Sequence, residues 1–488
     1  MIVSRRHLPA LFFKPHNSAP VILRPAPENE ASLVTLPNGA VRLFYMKRGE
    51  AVCSIETTND GATWTGERRE FAVPGPTAHA CVALLDSRRE LHVFFLVIRG
   101  TGTRLNIDRF IDVWHAVTAN ARWQAPQRIY EGYCGSLRAA IETRRGRIVV
   151  PFAAWVAGRA SGPPLGSNEV TAVYSDDKGA TWRLSPSRLT SPCVADYNGS
   201  NYGAVEPCVI ELRDGRLWML MRTQTGRLYQ SFSHDGVEWS AAAPSNFWSS
   251  NSPAALLRLR NNALLLAWNN CLPPPKHEGQ GVYGGRDALH VALSRDEGRT
   301  WRGFREVYLD PTRNETPPQR GDRATAYPFL TETRSGQIVL VTGQGERRRA
   351  IIRFHPDWLT AGQHESRPED WSTFESFGPA KGYWRDRRPG PATTWNFPAL
   401  SSGSLRIEAS GEAQLTLSDH FRDPAERDPG CVSIPVSGSV TVEWDRHGLR
   451  APRRIAFERA PLHGISYARL QPRGDAAFHI SKIRASAR

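Results

Sequence analysis

Short apolar runs come in pairs along the first three-quarters of the chain, each pair separated by a tight polar turn. Leu33–Leu36 and Val41–Tyr45 flank PNG, Ala139–Ile141 and Ile148–Ala153 flank RRG, Val209–Leu212 and Leu217–Met221 flank RDG, and Phe329–Thr331 and Ile338–Val341 flank RSG. Run length and flanking glycines predict strands, not helices. A third run leads into a recurring box: Ser175 to Trp182 and Ser294 to Trp301 both read S-x-D-x-G-x-T-W. Thr57 to Trp64 is a weaker copy, and Ser233 to Trp239 is one residue shorter. The box tryptophans at 64, 182, 239 and 301, with Trp123 and Trp358 filling the gaps, advance in steps of 59, 59, 57, 62 and 57. Six units of about 60 residues with four short strands each describe the blades of a β-propeller.

Within the box, aspartate accepts hydrogen bonds from turn amides, glycine supplies a positive φ, and tryptophan fills the space between neighbouring blades. The box is therefore a structural device. It is identified as the Asp box, and residues 20–360 resemble the six-bladed propeller of the sialidases. After Trp358 the pattern changes. Residues 361–393 are rich in charge, Pro and Gly and are expected to be a linker wrapping the propeller; over 394–488, alternating runs predict a small antiparallel β-sandwich. The expected fold class is all-β, a six-bladed propeller with a C-terminal sandwich-like region.

Composition narrows the partners. With 488 residues, 40% hydrophobic, 23% charged, 40 Gly and 36 Pro, the chain is neither collagenous, coiled-coil nor wholly disordered. No apolar stretch approaches the ~18 residues of a membrane-spanning helix. Near the N-terminus, LPALFF is shorter than a secretory h-region, which predicts a cytoplasmic or truncated chain. Seven scattered cysteines without a C-x-x-C pair argue against a disulfide framework or a zinc site. Phosphate loops, dinucleotide fingerprints and H-E-x-x-H are missing as well, so no metal or cofactor is expected. The net charge of +14 favours anionic partners. The charge alone fits nucleic acid and an acidic small ligand or glycan equally well, but no basic helix, finger spacing or RNA-binding signature supports nucleic acid. The sequence sets no oligomeric state.

Topology selects candidate residues. In a propeller, the start of each first strand, the end of each second and the start of each third share one face, opposite the boxes. First-strand starts supply Asn29 and Glu30, His79, Arg138, Glu206, Asn251 with Ser252, and Tyr327. Second-strand ends supply Lys47 and Arg48, Trp155, Arg222, Trp268 with Asn269, and Gln344 with Glu346, and a third-strand start supplies Arg286. Charged groups aimed at one channel are costly to desolvate unless they pair or hold a ligand.

The stretch from Gly203 to Gly236 resembles the sialidase segment in which a glutamate, a strand, a D-G turn and a second strand ending in arginine follow in order. That resemblance implies Glu206 as the partner of a tyrosine nucleophile and Arg222 as a carboxylate-clamping arginine. Arg286, just before its box, resembles the third clamping arginine, and Tyr327 in ATAYPFL resembles the nucleophile. A phenol near pKa ~10 needs a neighbouring carboxylate to take its proton. A neutral nucleophile also avoids repulsion by a substrate carboxylate, and sialidases are the tyrosine-nucleophile exception among glycosidases. Two arginines grip a carboxylate by forked hydrogen bonds.

The chain also departs from the family. Where sialidases open blade one with R-I-P, it reads Glu28-Asn29-Glu30-Ala31-Ser32, and the KRGEA loop lacks the acid/base aspartate. Lys47, Arg48 and Arg138 are the candidates to replace the cation; Glu30, His79 and Asp322 are those for the acid. Insertions at 191–205, 270–285 and 311–325 would rim the pocket, and Trp155, Tyr197, Tyr202, Trp268 and Tyr283 either stack on sugar or pack internally. The implied function is an exo-acting glycoside hydrolase removing a terminal acidic sugar such as sialic acid. The alternatives are a propeller hydrolase or lyase acting on a uronic-acid or rhamnose-containing polysaccharide, and a non-catalytic glycan-binding propeller.

Overall fold

A computed structural model of the chain describes residues 20–27, 31–47, 49–100, 110–156, 167–192, 203–225, 227–249, 251–269, 286, 288–299, 301–309, 325–343, 349–360, 374–376, 392–400, 402–418, 431–458, 465–473 and 479–487. Six antiparallel sheets follow one another along the chain. Blade one comprises Ala31–Thr35, Val41–Lys47, Ala51–Thr57 and Arg68–Ala72. Blade two is built on Thr77–Leu85, Leu91–Arg99, Phe110–Ala119 and Gln127–Tyr130. In blade three, Cys134–Leu137 and Ile141–Glu142 both pair with Ile148–Val156, followed by Ser167–Ser175 and Arg183–Leu184. Blade four contains Val205–Glu211, Leu217–Arg222, Arg227–Ser233 and Ala243–Trp248. Ala255–Arg258, Leu264–Trp268, Ala288–Ser294 and Arg302–Leu309 make blade five. Blade six has Phe329–Glu332, Ile338–Thr342 and Ala350–Phe354, and its fourth strand is Val21–Pro25 from the start of the propeller, paired with Ala350–Phe354. That strand lacks any box or hairpin cue of its own, so its role is not visible in the repeat.

The first strands of successive blades touch in cyclic order, and blade six returns to blade one. Apolar side chains from facing sheets fill the spaces between them. Val34, Phe44 and Val52 meet Val93 and Phe95, and Cys208, Ile210 and Trp218 meet Leu264, Leu266 and Trp268. Between blades six and one, Val339 and Ile351 meet Leu33 and Leu43. Each second strand is nearly all apolar because it is covered on both faces: every residue of Leu217–Arg222 is buried.

The boxes form as their chemistry requires. Ser175 Oγ donates to Asp177 Oδ1 at 2.8 Å and accepts from Gly179 N at 2.7 Å, while Thr181 N donates to Asp177 at 2.8 Å. Trp182 Nε1 closes the turn on Gly179 O at 3.1 Å. The Ser294, Thr57 and Ser233 boxes repeat the serine or threonine bond to the glycine amide. Each tryptophan leans on the preceding blade: Trp182 is edge-on to Phe94 at 5.6 Å, and Trp301 lies 6.3 Å from Trp218. Gly179, at φ +89°, comes so close that an added Cβ would stand 2.6 Å from His115. Trp358 is no box residue; it sits 1% exposed in the short helix Asp357–Thr360, packed on Phe354.

On the box face, the hairpins interlock. Ser87 N donates to Glu142, Arg144 N to Glu211 and Arg260 N to Glu332, so a glutamate ending one blade's first strand receives the preceding blade's turn. In blade five Arg258 holds that position, and Arg213 N turns instead to Glu297 at 2.8 Å, which also binds Arg258.

Two further five-stranded sheets follow. One orders Phe374–Ser376, Ala392–Leu400, Ile465–Pro472, Glu412–Ser418 and Val432–Ser437; the other orders Ile455–Ala456, Gly448–Ala451, Val440–Asp445, Gly403–Ser410 and His479–Ala487. Their core, including Leu405, Leu415, Ile434 and Trp444, is continuous with that of blades five and six. Phe374–Ser376 pairs with Ala392–Leu400, so the stretch expected as linker contributes an edge strand; the rest of that stretch up to 391 lies outside the described residues.

Candidate functional site

The face opposite the boxes gathers a polar cluster at the starts of first strands. Glu206 and Tyr327 both adopt left-handed backbone conformations, with φ 47° and 62°. Among the described residues, every other non-glycine residue with positive φ, such as Asp60, Lys178 and Glu297, sits in a turn or box. Around Glu206 the pairing of Val205–Glu211 with Leu217–Arg222 slips between Val205 and Cys208. Strain of this kind persists where the surroundings over-determine it and is concentrated at functional sites. Ser136 Oγ of blade three accepts from Glu206 N at 2.8 Å and helps fix the bend.

Arg222 ends the second strand of blade four and organises the cluster. One nitrogen, Nη1, donates to Glu206 Oε2 at 2.6 Å and to the Tyr327 hydroxyl at 3.2 Å, while Nε donates to Asn251 Oδ1 at 2.6 Å. Arg286 donates from Nη2 to the main-chain oxygen of Asn251 at 2.7 Å. Its guanidinium lies over the Tyr327 ring, 5.2 Å from the centroid. Arg138, in the gap between the two short inner strands of blade three, lies over the rings of Tyr327 and Phe329 at 4.9 and 4.2 Å. It donates to Pro328 O at 3.3 Å. Burial works against the charge on Glu206, but Arg222, with Arg138 and Arg286 behind it, outweighs burial and holds its pKa below the usual carboxylate range. The carboxylate is therefore ionised at neutral pH. Among the described residues, three guanidiniums gather around this one carboxylate.

A polar chain supports Arg286 from behind. Thr325 Oγ1 donates to Arg286 O at 2.5 Å and accepts from Asn269 Nδ2 at 2.9 Å, while Ser252 Oγ donates to Asn269 Oδ1 at 2.7 Å. Below the cluster, a cavity of about 620 Å³ runs between the first strands, with Arg138 and Phe329 in its wall near the site and Arg144, Arg213 and Arg258 at the box end.

The structure thus brings Glu206, Arg222, Arg286, Tyr327 and Arg138 together. Other expected residues are placed differently. Trp268 is fully buried, edge-on to Phe247 at 5.7 Å, which makes it a core residue and not a sugar platform. Asn269, fully buried like Arg286 itself, braces the Arg286 segment through Thr325. The Trp155 ring is half-buried, 6.1 Å from Tyr133. His79 lies in Thr77–Leu85, where pairing slips between Ala78 and Val82, but its side chain is outside the described residues. Glu30, Arg48, Gln344, Tyr197, Tyr202, Tyr283 and Asp322 lie outside them too. Asn251 was selected only as a strand start; that it joins both arginines became visible in the packing. No group of metal-ligating side chains occurs among the described residues.

A protein of unknown function from Dyadobacter fermentans DSM 18053 is 16% identical, with a TM-score of 0.50, over 69% of this chain and 98% of its own. A mutant of Trypanosoma rangeli sialidase displaying trans-sialidase activity is 12% identical, with a TM-score of 0.47, over 97% and 95% of the two chains. The Hadza microbial sialidase is 16% identical, with a TM-score of 0.48, over 68% and 66%. No curated protein matches in sequence. Residues 77–340 match the model of the BNR repeat-like domain, more than half of the chain. The chain therefore belongs to the BNR repeat-like domain family.

Proposed function

We propose that the protein is an exo-acting glycoside hydrolase that removes a terminal acidic sugar, sialic acid or a related carboxylated sugar, from glycans. The observation that carries this reading is the single Arg222 nitrogen bonded both to Glu206 and to the Tyr327 hydroxyl in a cluster with two further guanidiniums. Arg222 and Arg286 bind the substrate carboxylate. Tyr327 Oη attacks the anomeric carbon, its proton passes to Glu206, and the glycosidic C–O bond breaks. The leaving oxygen takes a proton from an acid, for which the sequence offers Glu30, His79 and Asp322. Water then cleaves the tyrosyl–sugar bond and restores Tyr327.

Arginines that keep Glu206 ionised would seem to weaken it as a base. Proton transfer from Tyr327 only moves one negative charge between two oxygens on the same guanidinium, so the cations stabilise reactant and product alike. The left-handed backbone at both residues is consistent with strain retained for this geometry.

Purified protein is to be screened against aryl glycosides of acidic and neutral sugars, with Tyr327→Phe beside it. The expected result is turnover of an acidic aryl glycoside that Tyr327→Phe abolishes, with an unchanged melting temperature. Equal turnover by the variant would reject Tyr327 as nucleophile, and binding of glycans without cleavage would replace the hydrolase by a lectin.

A further inference from the structure

Asn251 is 0% exposed and stands where the two clamping arginines meet. Its side-chain oxygen accepts from Arg222 Nε at 2.6 Å, and its main-chain oxygen accepts from Arg286 Nη2 at 2.7 Å. The orientation of the amide is forced, because an arginine Nε can only donate and must therefore face oxygen. The amide nitrogen consequently occupies the other branch, and there Nδ2 finds no hydrogen-bond acceptor among the described residues. Buried amide donors are rarely left this way, and each instance needs a reason.

Aspartate is the nearest isostere. It would keep the oxygen facing Arg222, turn that contact into a stronger charge-assisted bond, and remove the unsatisfied N–H group. Against the desolvation of a buried carboxylate, whose second oxygen would take the place of Nδ2, stand the two guanidiniums that Asn251 already touches. Electrostatics supplies the reason for asparagine: a carboxylate here would neutralise a guanidinium that the ligand needs.

We propose that Asn251 is a charge-neutral positioning residue that fixes the guanidiniums of Arg222 and Arg286 in one orientation while leaving their positive charge for an anionic group of the ligand. This rests on the acidic-sugar reading of the same site and extends it, because it makes the ligand's negative charge, not its ring, the feature for which the pocket is built.

The test compares wild type with Asn251→Asp and Asn251→Ala in two assays: turnover of acidic and neutral aryl glycosides, and heat stabilisation by free sialic acid, which reads anion binding whether or not the sugar is cleaved. Asn251→Asp is expected to melt at or above the wild-type temperature yet to bind the acidic sugar at least tenfold more weakly, with KM rising for acidic substrates and not for neutral ones. Asn251→Ala, lacking the oxygen, is expected to lose acidic-substrate kcat as well as affinity. An Asn251→Asp protein that binds sialic acid as tightly as wild type overturns the proposal, as does one that loses acidic and neutral substrates equally. A wild-type protein that binds sialic acid without cleaving any glycoside removes the hydrolase reading and leaves the role of Asn251 to be decided by the binding arm. A wild type that binds no acidic sugar overturns both.

Discussion

Lowering the pH should loosen the joint between blades two and three through His92 and His115. The two rings stack 5.1 Å apart with His92 Nδ1 and His115 Nε2 at 2.9 Å, and the residues are 0% and 1% exposed. Phe94 stacks on His115 at 4.9 Å, Trp182 meets it edge-on at 5.1 Å, and Gln127 Nε2 lies 3.3 Å from its Nδ1. Asp86 approaches His92 at 3.5 Å, and Glu142 and Lys178 act on it from blade three. Burial, with a smaller contribution from the His92 charge, drives the His115 pKa down to about 3. For His92, burial lowers the pKa despite the opposing pull of Asp86. An unfolded histidine takes its proton near pH ~6.5 while the folded His115 refuses it, so this contribution is complete above that pH and is lost as pH falls toward the folded value. At pH 5, ~1.5 units below the unfolded pKa, the loss is about 2 kcal/mol from His115 alone. Denaturant unfolding at pH 7.5 and pH 5, followed by tryptophan fluorescence, measures it in wild type and in His115→Phe, which keeps an aromatic ring against Phe94 but cannot titrate. The variant should lose about 2 kcal/mol less between the two pH values. Identical losses would show that the histidine pair does not couple to unfolding.

Gly179→Ala should destabilise by about 1–3 kcal/mol, because it adds both a left-handed alanine and a Cβ 2.6 Å from His115, whereas Gly215→Ala, at φ +87° with open space around it, bears only the backbone cost; equal losses in denaturant unfolding would remove the packing component. Glu142→Ala should lower stability by about 1–2 kcal/mol, since the carboxylate binds Ser87 N at 2.6 Å, Ser87 Oγ at 2.7 Å and Lys178 across the joint between blades two and three. Thermal unfolding of Glu142→Gln, which keeps an acceptor oxygen, should recover part of the loss. Glu206→Gln should reduce kcat on an acidic aryl glycoside by roughly 10²–10⁴-fold through loss of the base, and a variant of wild-type kcat would transfer that role to another residue.

The repeat was legible in the sequence because its physics is local. A serine, an aspartate, a glycine and a tryptophan within eight positions close their own turn, and the apolar pairs between boxes can only be strands covered on both faces. Spacing therefore predicted six blades and the face on which first strands begin, and that rule gave a wide set of candidates, within which the resemblance to sialidases singled out Glu206, Arg222, Arg286 and Tyr327. What local pattern could not carry was anything decided between blades. The closing strand Val21–Pro25 belongs to blade six, more than 300 residues away in sequence, because only the ring leaves an unpaired edge there for it. Trp268 ends a second strand as the rule requires, yet it packs edge-on to Phe247 inside the core between blades four and five. That one guanidinium joins Glu206, Tyr327 and Asn251 could not be read from any stretch of chain, since hydrogen-bond partners brought together from three blade entries are chosen by closure of the ring and not by spacing along the backbone.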